Sequence, residues 1–233
     1  DAGSHQFTAT FHELGVFTIT VEDTLDSEIN FTSSDITVAE DLDALFPCDY
    51  AWTRTFGSDD SFGDTGEEVT TDINGNVYAT GTFRGANVNF NTTGEGADDI
   101  HSSNGGSDVF VTKYNQDGSY GWTRTFGGNA TADVSKAITT DVFGNIYITG
   151  YYSGTDVNFN TTGSGSPDLK TSYNGFGLNA YILKYNADGS YGWTRTISTT
   201  SVSLGTGLRA DSNGNLYTAG YFNGLNTQFN TTG

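Results

Sequence analysis

A unit of about 70 residues recurs along most of this chain of 233 residues. Each copy opens on the motif Trp-Thr-Arg-Thr, which begins at Trp52, Trp122 and Trp193. A repeat of this kind constrains the fold more than any other feature, because each copy must form the same supersecondary unit and bury its apolar face against its neighbours. The chain is therefore predicted to be a repeat protein.

Three further motifs recur in the same order within each copy, and they are rich in strand-forming and turn-forming residues. They read Asp-x-x-Gly-Asn-x-Tyr, then Phe-Asn-Thr-Thr-Gly, then Lys-Tyr-Asn, and the sequence ends before a third Lys-Tyr-Asn. We therefore expect the last unit to be truncated. The motifs occupy residues 72–78, 141–147 and 211–217, residues 90–94, 159–163 and 229–233, and residues 113–115 and 184–186.

One copy contains four segments with the Val, Tyr, Phe, Thr and Ile content of β-strands. Asn-Gly and Asp-Gly dipeptides lie between them and supply the positive φ angles of tight turns, so successive strands are expected to pair as antiparallel hairpins. The segments are residues 66–72, 76–83, 108–114 and 120–126.

A four-stranded antiparallel sheet repeated at a fixed period predicts an all-β fold, a partial β-propeller of about three blades. The blade units are expected to start near residues 49, 119 and 190, with the last one truncated. The period exceeds that of common propeller repeats because a Gly-, Asn- and Asp-rich stretch lies between the second and third strands of each copy. We expect these stretches to be long loops on one rim.

Taken together, the motifs of residues 49–233 resemble the bacterial SBBP β-propeller repeat of large secreted and cell-surface proteins. The matching pattern is Trp-x-x-x-Phe-Gly, Asp-x-x-Gly-Asn-x-Tyr-x-x-Gly, then Asp-x-Phe-x-x-Lys-Tyr-x-x-Asp-Gly-x-x-x-Trp. Two departures occur in the later part, where Ile197 and Ser198 replace Phe-Gly and Asn179 replaces the Asp. The resemblance implies a propeller in a prokaryotic secreted or surface protein, and it implies no particular activity.

The first 48 residues lack the Trp-Thr-Arg-Thr motif and form a different region. Residues 5–38 alternate apolar and polar side chains over three expected strands. Residues 1–40 resemble the C-terminal part of a bacterial immunoglobulin-like surface module, which implies a spacer. Residues 41–48 are acidic, contain a proline and are expected to be the linker to the propeller repeats of residues 49–233.

The charge balance excludes two classes of partner. Twenty-eight acidic residues against nine basic ones give a formal net charge of −19, which repels nucleic-acid phosphates and anionic membrane surfaces. The sequence also contains no apolar run long enough to insert into a membrane. We expect a protein or glycan surface ligand, and self-association through exposed strand edges.

The repeated Asp-x-Asn-Gly-Asn sequence resembles a loop of oxygen ligands, so Asp72, Asp141 and Asp211 are candidate calcium ligands. Phe143 occupies the third position of the second copy and cannot bind a cation. The same residues also fit an Asx-type turn that leads into a hairpin. We favour the turn, and we assign no catalytic or cofactor-binding residue and no cofactor, with calcium as the alternative.

Two groups of carboxylates bear on catalysis. Asp64 and Asp133 recur in register, with Ser203 in the third copy, which favours a structural role over a single asymmetric catalytic site. The second group lies in the loops. Its members, Asp98, Asp99 and Asp168, are the candidate catalytic acids if the parent protein is a carbohydrate-active propeller enzyme.

Five of the nine cationic residues occupy repeat positions. We expect them to pair with the repeated aspartates, with a repeated anion-binding site as the alternative. They are Arg54, Arg124, Arg195, Lys113 and Lys184.

The function that these features favour is a non-enzymatic extracellular or cell-surface module for adhesion, ligand display or surface structure. This expectation rests on the near-identical repeats and on the lack of an asymmetric group of catalytic residues. Part of a carbohydrate-active glycoside hydrolase or lyase is the alternative.

Overall fold

The computed structural model describes residues 51–58, 63–129 and 133–229, together with the backbone of four short strands near the N-terminus. The chain divides into two compact units, Asp1–Ala51 and Trp52–Gly233.

The N-terminal unit contains the four short strands, which pair as two nested antiparallel ladders. Strand β1 (Gly15–Phe17) pairs with β4 (Ile36–Val38), and β2 (Thr20–Glu22) pairs with β3 (Asn30–Thr32). The expected linker, residues 41–48, lies outside the described residues. The resemblance to an immunoglobulin-like module stays a prediction.

The first sheet of the second unit contains four antiparallel strands in chain order. They are β5 (Thr65–Thr71), β6 (Val77–Phe83), β9 (Asp108–Tyr114) and β10 (Tyr120–Phe126). A two-stranded ladder of β7 (Val88–Asn89) and β8 (Ile100–His101) lies in the long loop between β6 and β9.

The second sheet repeats this arrangement. Its strands are β11 (Val134–Thr140), β12 (Ile146–Tyr152), β15 (Asn179–Tyr185) and β16 (Tyr191–Ile197). The loop ladder is formed by β13 (Val157–Asn158) and β14 (Leu169–Lys170), and a short 3-10 helix, Tyr173–Gly175, follows it.

A third hairpin, β17 (Val202–Ala210) with β18 (Leu216–Asn223), contains the last two strands that the structure describes. Each four-stranded sheet combines three strands of one sequence repeat with the Trp-containing strand of the next. Trp122 therefore lies in the last strand of the first sheet, and Trp193 in the last strand of the second.

The sheets stack face to face through shared apolar cores. Strand β11 lies against β5 and β6, and β17 lies against β11, β12 and β15. Val109 and Phe126 of the first sheet share one buried cluster with Ile138, Ile148 and Tyr181 of the second. Burial of apolar faces between successive sheets is the source of stability in repeat folds. The all-β, partial-propeller prediction is thus confirmed.

Candidate functional site

The three candidate calcium ligands each lie in a separate hairpin turn, where the turn itself uses their oxygens. Asp72 Oδ1 accepts hydrogen bonds from the backbone N–H groups of Asn74 (2.9 Å) and Asn76 (3.0 Å). Its Oδ2 accepts from Asn76 Nδ2 (2.7 Å) and from the Tyr78 hydroxyl (3.1 Å). Both oxygens therefore serve as the acceptors of an Asx turn.

Asp141 and Asp211 make the same four bonds in the following copies. At Asp141, burial raises the pKa, but the hydrogen bonds from Asn145, Tyr147 and Phe143 outweigh it, so the pKa lies below its ordinary value. Within the described part of the chain, no three His, Cys, Asp or Glu side chains converge as a metal site requires. The calcium alternative stays an untested prediction.

The repeated Trp and Arg side chains hold the hairpin turn of the following sheet. Trp122 packs against Gly189, where φ is +79° and an added Cβ would lie 2.7 Å from the indole. Arg124 stacks over Trp122 at 5.0 Å, and its Nε donates to the Gly189 carbonyl (3.0 Å). Trp52 and Arg54 contact Gly118 in the same way.

Arg54 and Arg124 donate their hydrogen bonds to backbone carbonyls. Each guanidinium also interacts favourably with the charge of a repeated aspartate in the adjacent turn, Arg54 with Asp117 and Arg124 with Asp188. The expected pairing of the repeated cations with repeated aspartates stays a prediction. Lys113 and Lys184 instead lie over the rings of Tyr78 and Tyr147, each at 5.8 Å.

Two of the three loop carboxylates of the enzyme alternative, Asp99 and Asp168, occupy equivalent positions of the repeat. Asp99 accepts a hydrogen bond from the Tyr120 hydroxyl, and Asp168 accepts one from the Tyr191 hydroxyl at the equivalent place. Asp98 accepts from Asn89 Nδ2 at 2.8 Å. The two tyrosine bonds attach each long loop to its own sheet, whereas the Asp98 bond lies within the loop.

Asp133 joins the first sheet to the second. Its Oδ2 accepts from the Gly128 N–H (2.7 Å) and its Oδ1 from the Ser153 N–H (3.0 Å). Burial raises the pKa of Asp133 to about 6, against these two bonds. Asp64 makes equivalent bonds to residues 58 and 84.

A groove of about 460 Å³ opens between the first and second sheets. One wall consists of the end of β10 and the loop that carries Asp99 and His101, and the other contains Asn158 and Thr161. We call it the inter-sheet groove. Residues 55–57, with Asn89 and Thr92, line a groove at the equivalent place before the first sheet, which we call the preceding groove.

Asp108 lines the inter-sheet groove and is only 4% exposed. Its Oδ2 accepts from the Asn104 N–H (3.0 Å), whereas its Oδ1 is buried and has no hydrogen-bond partner among the described residues. Burial raises the pKa of Asp108 to about 7, and the nearby Asp133 charge adds to the effect. Leaving a buried carboxylate oxygen unpaired is costly.

The same position of the second sheet is closed by its own side chains. Asn179 replaces Asp108, and its Nδ2 donates to Ser198 Oγ at 2.8 Å. Ser198 stands where the first sheet has Gly127, at which an added Cβ would lie 2.2 Å from Asp108 Cγ. The Asp108 carboxyl group therefore packs against Gly127, whereas the Asn179 amide forms a hydrogen bond with Ser198.

Sequence reasoning did not identify Asp108 or Gly127 as site residues. The signal was present in the two departures from the repeat, at Asn179 and Ser198, because these two residues form a hydrogen bond with each other and change together.

Comparison with known proteins supports the repeat architecture. No protein-family model matches the chain. The chain is 26% identical over 180 residues to an uncharacterised WD repeat-containing protein, L264, of Acanthamoeba polyphaga mimivirus. This match covers 70% of the chain but spans only 13% of the viral protein.

Among the described residues, no helix has the length and apolar character that crossing a bilayer requires. The viral relative and the stacked four-stranded sheets together identify the chain as a repeat protein with a partial β-propeller fold.

Proposed function

We propose that this chain is part of a non-enzymatic, secreted or cell-surface repeat protein of prokaryotic, SBBP type, which displays ligand-binding grooves between its sheets. The inter-sheet groove carries this proposal, because it combines a buried carboxyl group with amide and hydroxyl side chains in a cavity of ligand size. Adhesion or ligand display is the role that such a groove serves on a surface. The immunoglobulin-like segment would then be its spacer.

A carbohydrate-active enzyme is the second candidate, and one observation favours it. Asp108 lines the inter-sheet groove, and burial raises its pKa to about 7, a value suited to a general acid. Asp99 and Asp168 support it less well, since each is engaged by a tyrosine at a repeated position.

Binding and turnover separate the two candidates. The 233-residue chain, labelled and applied to a glycan array and to bacterial and eukaryotic cell surfaces, should bind without altering the bound material. Polysaccharide panels incubated with the chain should show no new reducing ends or unsaturated products. Product release that is abolished by Asp108→Asn would establish the enzyme instead, and the absence of binding to every surface would overturn the adhesion role.

A further inference from the structure

We propose that strand β18 is a docking edge for one further β-strand, which belongs to another repeat polypeptide and places an aromatic residue opposite Gly220. The pattern of that strand is the one found in β9 and β15, an aromatic residue followed by x-x-Lys-Tyr. The inference goes beyond the proposed function, because the cavity at this edge shares no lining residue with the inter-sheet groove.

The outer edge of β18 is open at the place where the other two sheets continue. Strand β6 pairs with β9, and β12 pairs with β15, each along seven residues. Among the described strands, β18 pairs only with β17. An open row of backbone N–H and C=O groups is a template for the addition of an extended segment.

Each four-stranded sheet places an aromatic ring over a glycine of its second strand. Phe110 lies opposite Gly81 in the first sheet, and Tyr181 lies opposite Gly150 in the second. An added Cβ at Gly81 would lie 2.8 Å from the Phe110 ring, so the glycine leaves the space that the ring occupies. Both aromatic residues are buried. Gly220 is the equivalent glycine of β18.

The corresponding space of the third hairpin is a cavity of about 180 Å³, and Ile197 and Phe229 line it. Their counterparts in the preceding copy are Phe126 and Phe159, whose ring centroids lie 5.3 and 5.4 Å from that of Tyr181. Apolar cavities of about 150 Å³ hold a benzene ring. The cavity therefore has the size and the walls that an aromatic side chain of the added strand requires.

The rings that line this cavity are arranged as in the other copies but lack their cover. Phe229 is 62% exposed, whereas its counterparts Phe90 and Phe159 are 0% exposed. Phe229 nevertheless makes a T-shaped contact with Phe222 at 5.2 Å, as Phe159 does with Tyr152. Covering these two rings removes apolar surface from water, which favours binding of the strand.

A second contact selects the lysine of the pattern. Lys113 lies over the Tyr78 ring at 5.8 Å, and the second sheet repeats this contact. Tyr217 is the equivalent residue of β18, is 60% exposed, and donates a hydrogen bond from its hydroxyl to Asp211 (3.2 Å). A lysine in the same register lies over this ring and close to a carboxylate, so both a cation–π contact and charge attraction favour it.

The added strand belongs to a separate polypeptide. The pattern occurs twice in the sequence, at residues 110–114 and 181–185, and both copies lie in strands that are paired on both edges. Neither β9 nor β15 can therefore pair with β18 without leaving its own sheet, and the same holds for a folded second copy of the chain. The occupant is a repeat polypeptide whose strand of this pattern is unpaired.

The test titrates the 233-residue chain into a fluorescent peptide of residues 108–115, Asp-Val-Phe-Val-Thr-Lys-Tyr-Asn, and follows anisotropy. Binding should be saturable, with one peptide per chain. Alanine in place of Phe110 in the peptide should weaken binding at least about tenfold, because no ring then fills the cavity. Phe229→Ala in the chain should weaken it similarly. Phe176→Ala, at a loop residue that is 85% exposed and does not line the cavity, should leave binding unchanged.

Amide hydrogen exchange separates strand addition from adsorption to an apolar surface. Alternate backbone amides of β18 should gain protection when the peptide binds. Circular dichroism controls for the folding of each variant, and the peptide substitution does not alter the chain. Absence of binding, equal affinity of the alanine peptide, equal effects of the two chain variants, or unprotected β18 amides would overturn the proposal.

Dimers of the chain that the peptide does not displace would assign the edge to a second copy and would overturn it as well. None of these results bears on the proposed function, because binding to glycan arrays and cell surfaces is measured separately.

Discussion

At the residue scale, Asp108 makes the stability of the fold depend on pH. Its pKa in the folded chain is about 7 against an ordinary value of 3.8, so the folded state holds this proton more tightly than the unfolded state. Stability is therefore lost as pH rises through this interval, and Asp133, with a pKa of about 6, adds to the same trend. Asp108→Asn removes the charge and should stabilise the chain at pH 8 by roughly 2 kcal/mol or more.

Urea unfolding of both chains at pH 5, 6.5 and 8 measures this effect, and the difference should grow with pH. Asp141→Asn is the matched control, because hydrogen bonds lower the pKa of Asp141 and its charge stabilises the fold above its unfolded pKa. That variant should be destabilised at pH 8. An Asp108→Asn chain no more stable than wild type at pH 8 would contradict the account.

Also at this scale, Gly127 and Asp108 should be energetically coupled. Gly127→Ser alone forces a Cβ against the Asp108 carboxyl group and should cost about 1–3 kcal/mol. Combining it with Asp108→Asn reproduces the Asn179–Ser198 pair and its 2.8 Å hydrogen bond. A double-mutant cycle by urea unfolding should give a favourable coupling of at least about 1 kcal/mol, whereas additive effects would show that the two sheets are not interchangeable at this place.

At the scale of elements, each Trp-containing strand is held by the turn of the next sheet. Gly189→Ala combines an unfavourable positive φ with overlap of the Trp122 indole and should destabilise the chain by roughly 2–4 kcal/mol. Gly163→Ala is the matched control, because φ is +74° there but nothing lies near the added Cβ, and its cost should be about 1 kcal/mol. Equal thermal shifts for the two variants would exclude a packing role for Trp122.

The positions of the strands were the feature that the sequence predicted most accurately. The expected strands at residues 66–72, 76–83, 108–114 and 120–126 lie within one residue of the observed ones, because composition and turn dipeptides are local signals. The groove was not predicted. Asp108, Gly127 and Asn158 lie in three separate segments, and only the pairing of strands and the stacking of sheets bring them together.

At the scale of the whole molecule, net charge disfavours self-association of the chain and exposed apolar surface favours it. The net charge of −19 disfavours contact between copies, while strand β18 exposes aromatic side chains such as Tyr221, which is 54% exposed. Salt screens the repulsion and leaves apolar burial unopposed, so we propose that the chain self-associates through this hairpin as ionic strength rises.

Sedimentation velocity at low and high salt measures that balance. The weight-average sedimentation coefficient of the wild-type chain should increase between about 20 mM and 500 mM NaCl, over which the screening length falls several-fold. Tyr221→Glu should suppress the increase because it places a charge on the exposed face of β18. Phe176→Glu adds the same charge at a loop residue that is 85% exposed, and it should leave the increase intact. Equal suppression by both variants would show that net charge alone, and not the β18 surface, governs association.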